Sequence, residues 1–214
     1  AELKSILPRI NYKVLRRCDM NHLGTKILET KRLILRPFKE TDVEDMYDNW
    51  AGNDNVTRYL TWPAHASREV SKSVVDLWVS NNEDMRNYQW CIELKDNQQA
   101  IGSIGIVHME EEIDSVEIGY CIGEEYWNRG ITSEAFKEII KFLFEEVACN
   151  RIFAQHDVHN PNSGKVMKKS GLLYEGTLLE AGKNNTGICD MAVYGITRNV
   201  YSMKKGEQRR QALE

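Results

Sequence analysis

The sequence predicts a mixed α+β domain, on three observations. Its first half alternates apolar and polar residues in short runs separated by turn-formers, its middle changes to a helical apolar period flanked by strands, and no internal repeat interrupts the order. Regular structure begins at RLILRPF, Arg32 to Phe38, where Leu33 and Leu35 alternate with Arg32, Ile34 and Arg36 and Pro37 limits the strand. Thr41-Asp42-Val43-Glu44 reads as a capped helix start, and a second helix from about Ser67 carries Val70, Val74, Val75, Leu77 and Trp78 on a broad apolar face. Two strands, Asn87 to Leu94 and Ala100 to Met109, flank the turn-forming KDNQQ, and the acidic EEEID leads to a third, Ser115 to Ile122. At Gly123 the pattern changes, and a loop leads into GITSEAFKEIIKFLFEEVA. Phe136, Ile139, Ile140, Leu143 and Val147 predict an amphipathic helix, followed by a strand over Arg151 to Asp157. Pro161 suits the first turn of a short helix that Gly171 ends, and LLYEGTLLE and GICDMAVYGI close the fold.

Composition narrows the function classes. A chain of 214 residues with 42% hydrophobic and 28% charged residues can bury a substantial core as one domain without disulfides. The net charge of −4 gives no general reason to expect nucleic-acid affinity. Five cysteines, Cys18, Cys91, Cys121, Cys149 and Cys189, lie scattered without a CxxC pair, which suggests neither a zinc cage nor a disulfide framework. His156 and His159 lack matching partners for a metal, so none is expected. With no apolar run of membrane length and no secretory core, the expected setting is cytoplasmic. Residues 1–25 show no sustained period and read as an extension, non-native or a packing arm, with Met20 a candidate start. The polar stretch 201–214 reads as a frayed tail, and monomer and homodimer both stay open.

The stretch YWNRGITSEA, Tyr126 to Ala135, asks for more than a turn. A strand, a glycine-containing loop and a helix start bring unpaired backbone N–H groups together in front of the positive end of a helix dipole, which suits an anion. Gly130 permits close approach of a phosphate, while Asn128, Arg129 and Thr132 can add donors.

The arrangement VEIGYCIGEEYWNRGITSEA, followed by DVHNPNSGKVMKKSGL, resembles the GNAT family of acetyl-CoA-dependent N-acetyltransferases, and within it the RimJ/RimL branch of ribosomal-protein N-terminal acetyltransferases. The resemblance runs from about Glu29 to Thr197, through ETKRLILRPF, GSIGIV, EIGYCI, YWNRG, NPNS and KKSGL. It implies one domain over 26–200, with a central, mostly antiparallel sheet whose single parallel pair splays apart at the acetyl-CoA site. The family's pyrophosphate loop falls on Trp127, Asn128, Arg129, Gly130, Ile131 and Thr132, the last standing where the family usually has glycine or alanine. The pantetheine arm is expected along the backbone of Tyr120, Cys121 and Ile122, as an added pseudo-strand.

Acetyl transfer needs a neutral amine, yet amines are mostly protonated near neutral pH, so a base is required. Strand alternation places Glu117 apart from Val116, Ile118, Tyr120 and Ile122, and the resemblance extends to Glu117 the family's strand glutamate that acts through a water. A solvated or ion-paired strand carboxylate is the other reading, and His108 is a weaker base candidate. The tyrosine that many GNAT enzymes use to protonate the departing thiolate falls on Met167, which cannot do so. The branch has a serine three residues after the asparagine, which assigns thiol protonation to Ser163 and pantetheine positioning to Asn160. Helix capping alone is the other reading of both, and Tyr174 is a spare donor. The expected activity is direct acetyl transfer from acetyl-CoA to a primary amine, either a protein N-terminus such as that of a ribosomal protein or a small amine. A non-catalytic acyl-CoA sensor is the alternative from another class.

Overall fold

The computed structural model describes residues 20–211. Its strands are β1 (Leu28–Glu29), β2 (Leu33–Arg36), β3 (Gln89–Leu94), β4 (Ala100–Glu110), β5 (Ser115–Ile122), β6 (Arg151–Asp157), β7 (Leu173–Asn184) and β8 (Gly187–Thr197). The helices are α1 (Val43–Met46), α2 (Asp54–Thr57), α3 (Arg68–Ser80), α4 (Ile131–Glu145), α5 (Pro161–Lys169) and α6 (Arg198–Gln211). The strands form one sheet in the order β1-β2-β3-β4-β5-β6-β8-β7. Neighbours pair antiparallel except β5 and β6, which the α4 crossover brings together in parallel. The mixed α+β fold, mostly antiparallel with one parallel pair, is as expected.

Each face of the sheet carries its own apolar layer. On one side Phe136, Ile139, Ile140 and Leu143 of α4 pack on Ile104, Val116, Ile118, Ile152 and Ala154. On the other, Phe38, Met46, Trp50 and Val75 pack on Cys91, Ala100 and Cys121. The period-two alternation of β5 thus divides its side chains between two different environments.

Several local expectations change. The strand expected over Arg32 to Phe38 pairs only over Leu33–Arg36. Thr41 is not a cap: Asp42 is buried, and its carboxylate accepts the Lys39 N–H at 2.7 Å and a bidentate grip from Arg36 at 2.8 Å. On α3, Val70 and Leu77 are exposed, because they share a stripe seven residues apart that turns away from the buried Ser71 and Val75. α2, which the sequence reading missed, is one turn long and is started by the Asn53 side chain accepting from the Asn55 N–H at 2.8 Å.

Both predicted extensions are partly docked. Of the N-terminal one, residues 1–19 lie outside the described residues, while Met20 is buried and the Asn21 and Gly24 N–H groups donate to the carbonyls of Val147 and Met85 at 2.7 and 2.8 Å. The stretch expected to fray is helical through Gln211, with the Tyr201 ring 4.9 Å from that of Phe144 and its hydroxyl donating to Glu145 at 2.5 Å. Among the described residues Cys91, Cys121, Cys149 and Cys189 are free and buried, and no helix is long and apolar enough to cross a membrane.

Candidate active site

The parallel pairing of β5 with β6 is brief. It runs through Ser115↔Arg151, Val116↔Ile152 and Glu117↔Phe153, after which the two strands part. β5 stays with β4 as far as Gly102↔Ile122, and β6 stays with β8 as far as Asp157↔Met191, so the sheet opens into a V with Glu117 at its apex. Backbone amides in such a gap are free to pair with an extended, amide-bearing ligand.

Glu117 is half-buried, and its Oε1 accepts from the Gln155 amide at 2.8 Å across the opening. His108 lies opposite Glu117 on β4, at a register shift, and is exposed. On the other face of β5 the Tyr120 hydroxyl donates to the Ser163 carbonyl at 3.0 Å and lies 2.9 Å from Ser163 Oγ. With its own proton committed to the carbonyl, the phenol oxygen is left to accept from the serine. Burial raises the Tyr120 pKa well above the ordinary phenol value, so the group stays protonated at neutral pH. Sequence reasoning assigned Tyr120 only a backbone contact, since alternation groups it with core residues.

Ser163 owes its position to the entry of α5. The Asn160 N–H donates to the Asp157 carbonyl at 2.7 Å, the Ser163 N–H to the Asn160 carbonyl at 3.1 Å, and Pro161 begins the helix. Neither side chain is spent as a cap, for the Asn160 side chain makes no capping bond and Ser163 Oγ faces Tyr120. Met167 is buried in the core and Tyr174 is exposed on β7, bonded to Thr177 at 2.8 Å.

The loop before α4 gathers backbone donors and cations. Asn128 and Gly130 adopt left-handed torsions, φ +60° and +72°, and Gly130 sits at the N-cap of α4. Both residues stand beside the positive end of the helix, where the N–H groups of the first turn have no intrahelical partner. Lys169 Nζ lies 3.4 Å from where a β-carbon on Gly130 would stand, and Arg32 donates to the Arg129 carbonyl at 3.0 Å while pairing with Glu134 at 2.7 Å. Arg32 and Lys169 are further cations that the motif reading did not include. Ile131 and Thr132 are buried in the first turn, Arg129 stands over the Tyr126 ring, and the Trp127 indole donates to the Ile122 carbonyl at 2.9 Å. The Cys121 thiol is buried 3.4 Å from Ser103 Oγ, and burial raises its pKa, which leaves an unreactive thiol. Among the described residues no three His, Cys, Asp or Glu side chains gather closely enough to hold a metal.

Residues 32–173 match the acetyltransferase (GNAT) domain. The chain belongs to the GNAT acetyltransferase family. An uncharacterized N-acetyltransferase of Bacillus subtilis, YoaA, is 32% identical over 172 residues, which are 80% of this chain and 97% of that protein. The ribosomal-protein-serine acetyltransferase of Escherichia coli is 26% identical over 167 residues, 77% of this chain and 92% of its own. Among solved structures, the microcin C7 self-immunity acetyltransferase MccE, in complex with acetyl-CoA and AMP, superposes with a TM-score of 0.72 at 20% identity, covering 84% of this chain and 98% of that one. As a GNAT protein the chain is an acetyltransferase, and acetyl-CoA is its acyl donor.

Proposed function

We propose that this GNAT enzyme transfers acetyl from acetyl-CoA to the α-amine of a protein N-terminus, in the manner of the RimJ/RimL branch. The supporting observation is the V between β5 and β6, with a carboxylate at its apex on one face and a paired phenol and serine on the other. Pantetheine lies along Tyr120, Cys121 and Ile122, Asn160 orients it, and Trp127 to Thr132, with Arg32 and Lys169, hold the pyrophosphate. Glu117 takes a proton from the ammonium through a water, and the freed nitrogen lone pair attacks the thioester carbonyl. Backbone N–H groups of the splayed strand stabilise the oxyanion as the C–N bond forms. On collapse the C–S bond breaks, the thiolate takes a proton from Ser163, and the second proton that the nitrogen sheds in becoming an amide restores the serine, whose hydroxyl Tyr120 holds in position. The family resemblance and the E. coli relative support a ribosomal-protein N-terminus as acceptor.

Thiol release from acetyl-CoA is measured against N-terminal peptides, polyamines and amino acids. Turnover confined to N-terminal peptides, with kcat lowered about 100-fold in Glu117→Gln, is the expected result. Turnover of polyamines or amino acids alone replaces the acceptor with a small amine. Tight acetyl-CoA binding without release above the blank, for any acceptor, overturns the enzymatic reading in favour of a sensor.

A further inference from the structure

The two arms of the V each touch α5, through successive residues of that helix. On the β5 arm Tyr120 meets Ser163, and on the β6 arm His156 meets Gly164. The register Val116↔Ile152 sets Tyr120 and His156 in phase with the buried Val116, Ile118, Ile152 and Ala154, so both face the layer that holds α4 and α5. His156 is buried, and its ring is fixed in place. Nδ1 lies 2.7 Å from the Asp157 carbonyl, which can only accept, so this nitrogen carries a hydrogen, and the ring stacks on Tyr194 with centroids 5.7 Å apart. The opposite edge carries Nε2, which is buried without a hydrogen-bond partner among the described residues. A polar atom in that state costs stability, so packing alone is a poor reason to have a histidine there.

That edge is what α5 rests on. A β-carbon on Gly164 would stand 2.5 Å from Nε2, 3.1 Å from Cε1 and 3.3 Å from Cδ2, so the helix approaches the ring as closely as a glycine allows. Glycine inside a helix weakens it relative to alanine, and the close approach is its physical reason here. The residue before it is Ser163, whose Oγ lies 2.9 Å from the Tyr120 hydroxyl. A displacement of about 1 Å carries such a pair beyond hydrogen-bond range. We propose that His156 is a positioning residue for thiol protonation: its imidazole edge, seated on Gly164, sets the height of α5 over β6 and so keeps Ser163 within reach of Tyr120. This rests on the acetyl-transfer reading above and adds the group that holds its proton donor in place.

The test compares Gly164→Ala, His156→Asn and the double variant with the wild-type full chain. Thiol release is read at saturating acetyl-CoA, with the acceptor that the wild type turns over fastest. In Gly164→Ala the added methyl meets the ring, and ring or helix must yield by about 1 Å. His156→Asn keeps a donor for the Asp157 carbonyl and removes Nε2 and Cε1, which unseats α5 but makes room for that methyl. Each single variant is expected to lower kcat about tenfold, and the double variant to recover to within about threefold of wild type. Alanine strengthens a helix, so the loss in Gly164→Ala is not one of helix stability. In a Ser163→Ala background, Gly164→Ala is expected to change kcat by less than about twofold, since the proton donor it displaces is already gone. An unchanged kcat in Gly164→Ala, a double variant no better than the singles, or an equal loss in the Ser163→Ala background overturns the proposal. If Gly164→Ala fails to fold, the double variant decides alone: turnover near wild type supports the seat, and a second failure to fold overturns it. A wild type that releases no thiol with any amine overturns the acetyl-transfer reading itself, a result distinct from all of these.

Discussion

The Tyr120 hydroxyl and Ser163 Oγ lie 2.9 Å apart, although 43 residues separate them in the chain. On the proposed chemistry Ser163 gives the proton to the thiolate and Tyr120 holds the serine in place, so they act as a unit and their removal is not additive. Ser163→Ala and Tyr120→Phe are each expected to lower kcat by about 100-fold, and the double variant to be little worse than either. Steady-state kinetics at saturating acetyl-CoA checks this, and independent, multiplying effects would separate the two groups. Glu117 was legible from strand alternation, which sets it apart from Val116 and Ile118. The Tyr120 hydroxyl was not, because the same alternation files it with core side chains and nothing local links it to α5. Gln155 was silent for a similar reason, since its bond to Glu117 exists only because β6 lies beside β5.

Among the elements, β2 and the turn into α1 depend on a charge cluster that the pattern RLILRPF conceals. Arg36 is buried, gripping Asp42 at 2.8 Å and donating to Glu93 at 2.5 Å. Burial on its own lowers the guanidinium pKa, but the bonds to Asp42 and Glu93 outweigh it and raise the value, so the charge is permanent. Arg36→Met leaves two carboxylates buried without their cation and is expected to cost about 3–5 kcal/mol. Urea denaturation measures it, and a loss below about 1 kcal/mol, the scale of an exposed pair, would show that water reaches the cluster. Alternation predicts only that Arg36 and Ile34 share a face of β2. That this end of the strand meets Asp42 and Glu93 is a tertiary fact. Elements with their own punctuation were easier. The predicted spans of β5 and β6 match those formed, and α5 begins at Pro161, with Gly171 just past its end at φ +105°.

At the scale of the whole molecule, the end of β6 is tied to the β7–β8 turn by bonds that respond to acid. Burial alone would raise the Asp157 pKa, but donation from the His159 N–H and the Asn184 amide outweighs it and leaves the folded value below that of a free aspartate. A depressed folded pKa contributes stability above the unfolded value, about 3.9, and that contribution is lost as pH falls through the folded one. Thermal midpoints of the wild type and Asp157→Asn are therefore expected to differ at pH 6 and to converge below about pH 4. A difference constant with pH would locate the effect in packing rather than in the charge.

The sequence by itself determined the fold class, most strand and helix spans, the glycine at the start of α4, the single parallel crossover and the carboxylate of Glu117. These are local properties: a side-chain period of two or 3.6, a proline or glycine at an element's end, a torsion that glycine adopts freely. Only the tertiary structure decided that β5 and β6 part after Glu117, that Tyr120 meets Ser163, that Arg32 and Lys169 converge on the Gly130 loop and that Asn185 donates to the Thr57 carbonyl. Each of these is a contact between segments far apart in the chain, made by polar groups that have no period of their own. Which partner such a group finds depends on how the elements pack, and that is settled by burying both apolar faces of one sheet at once.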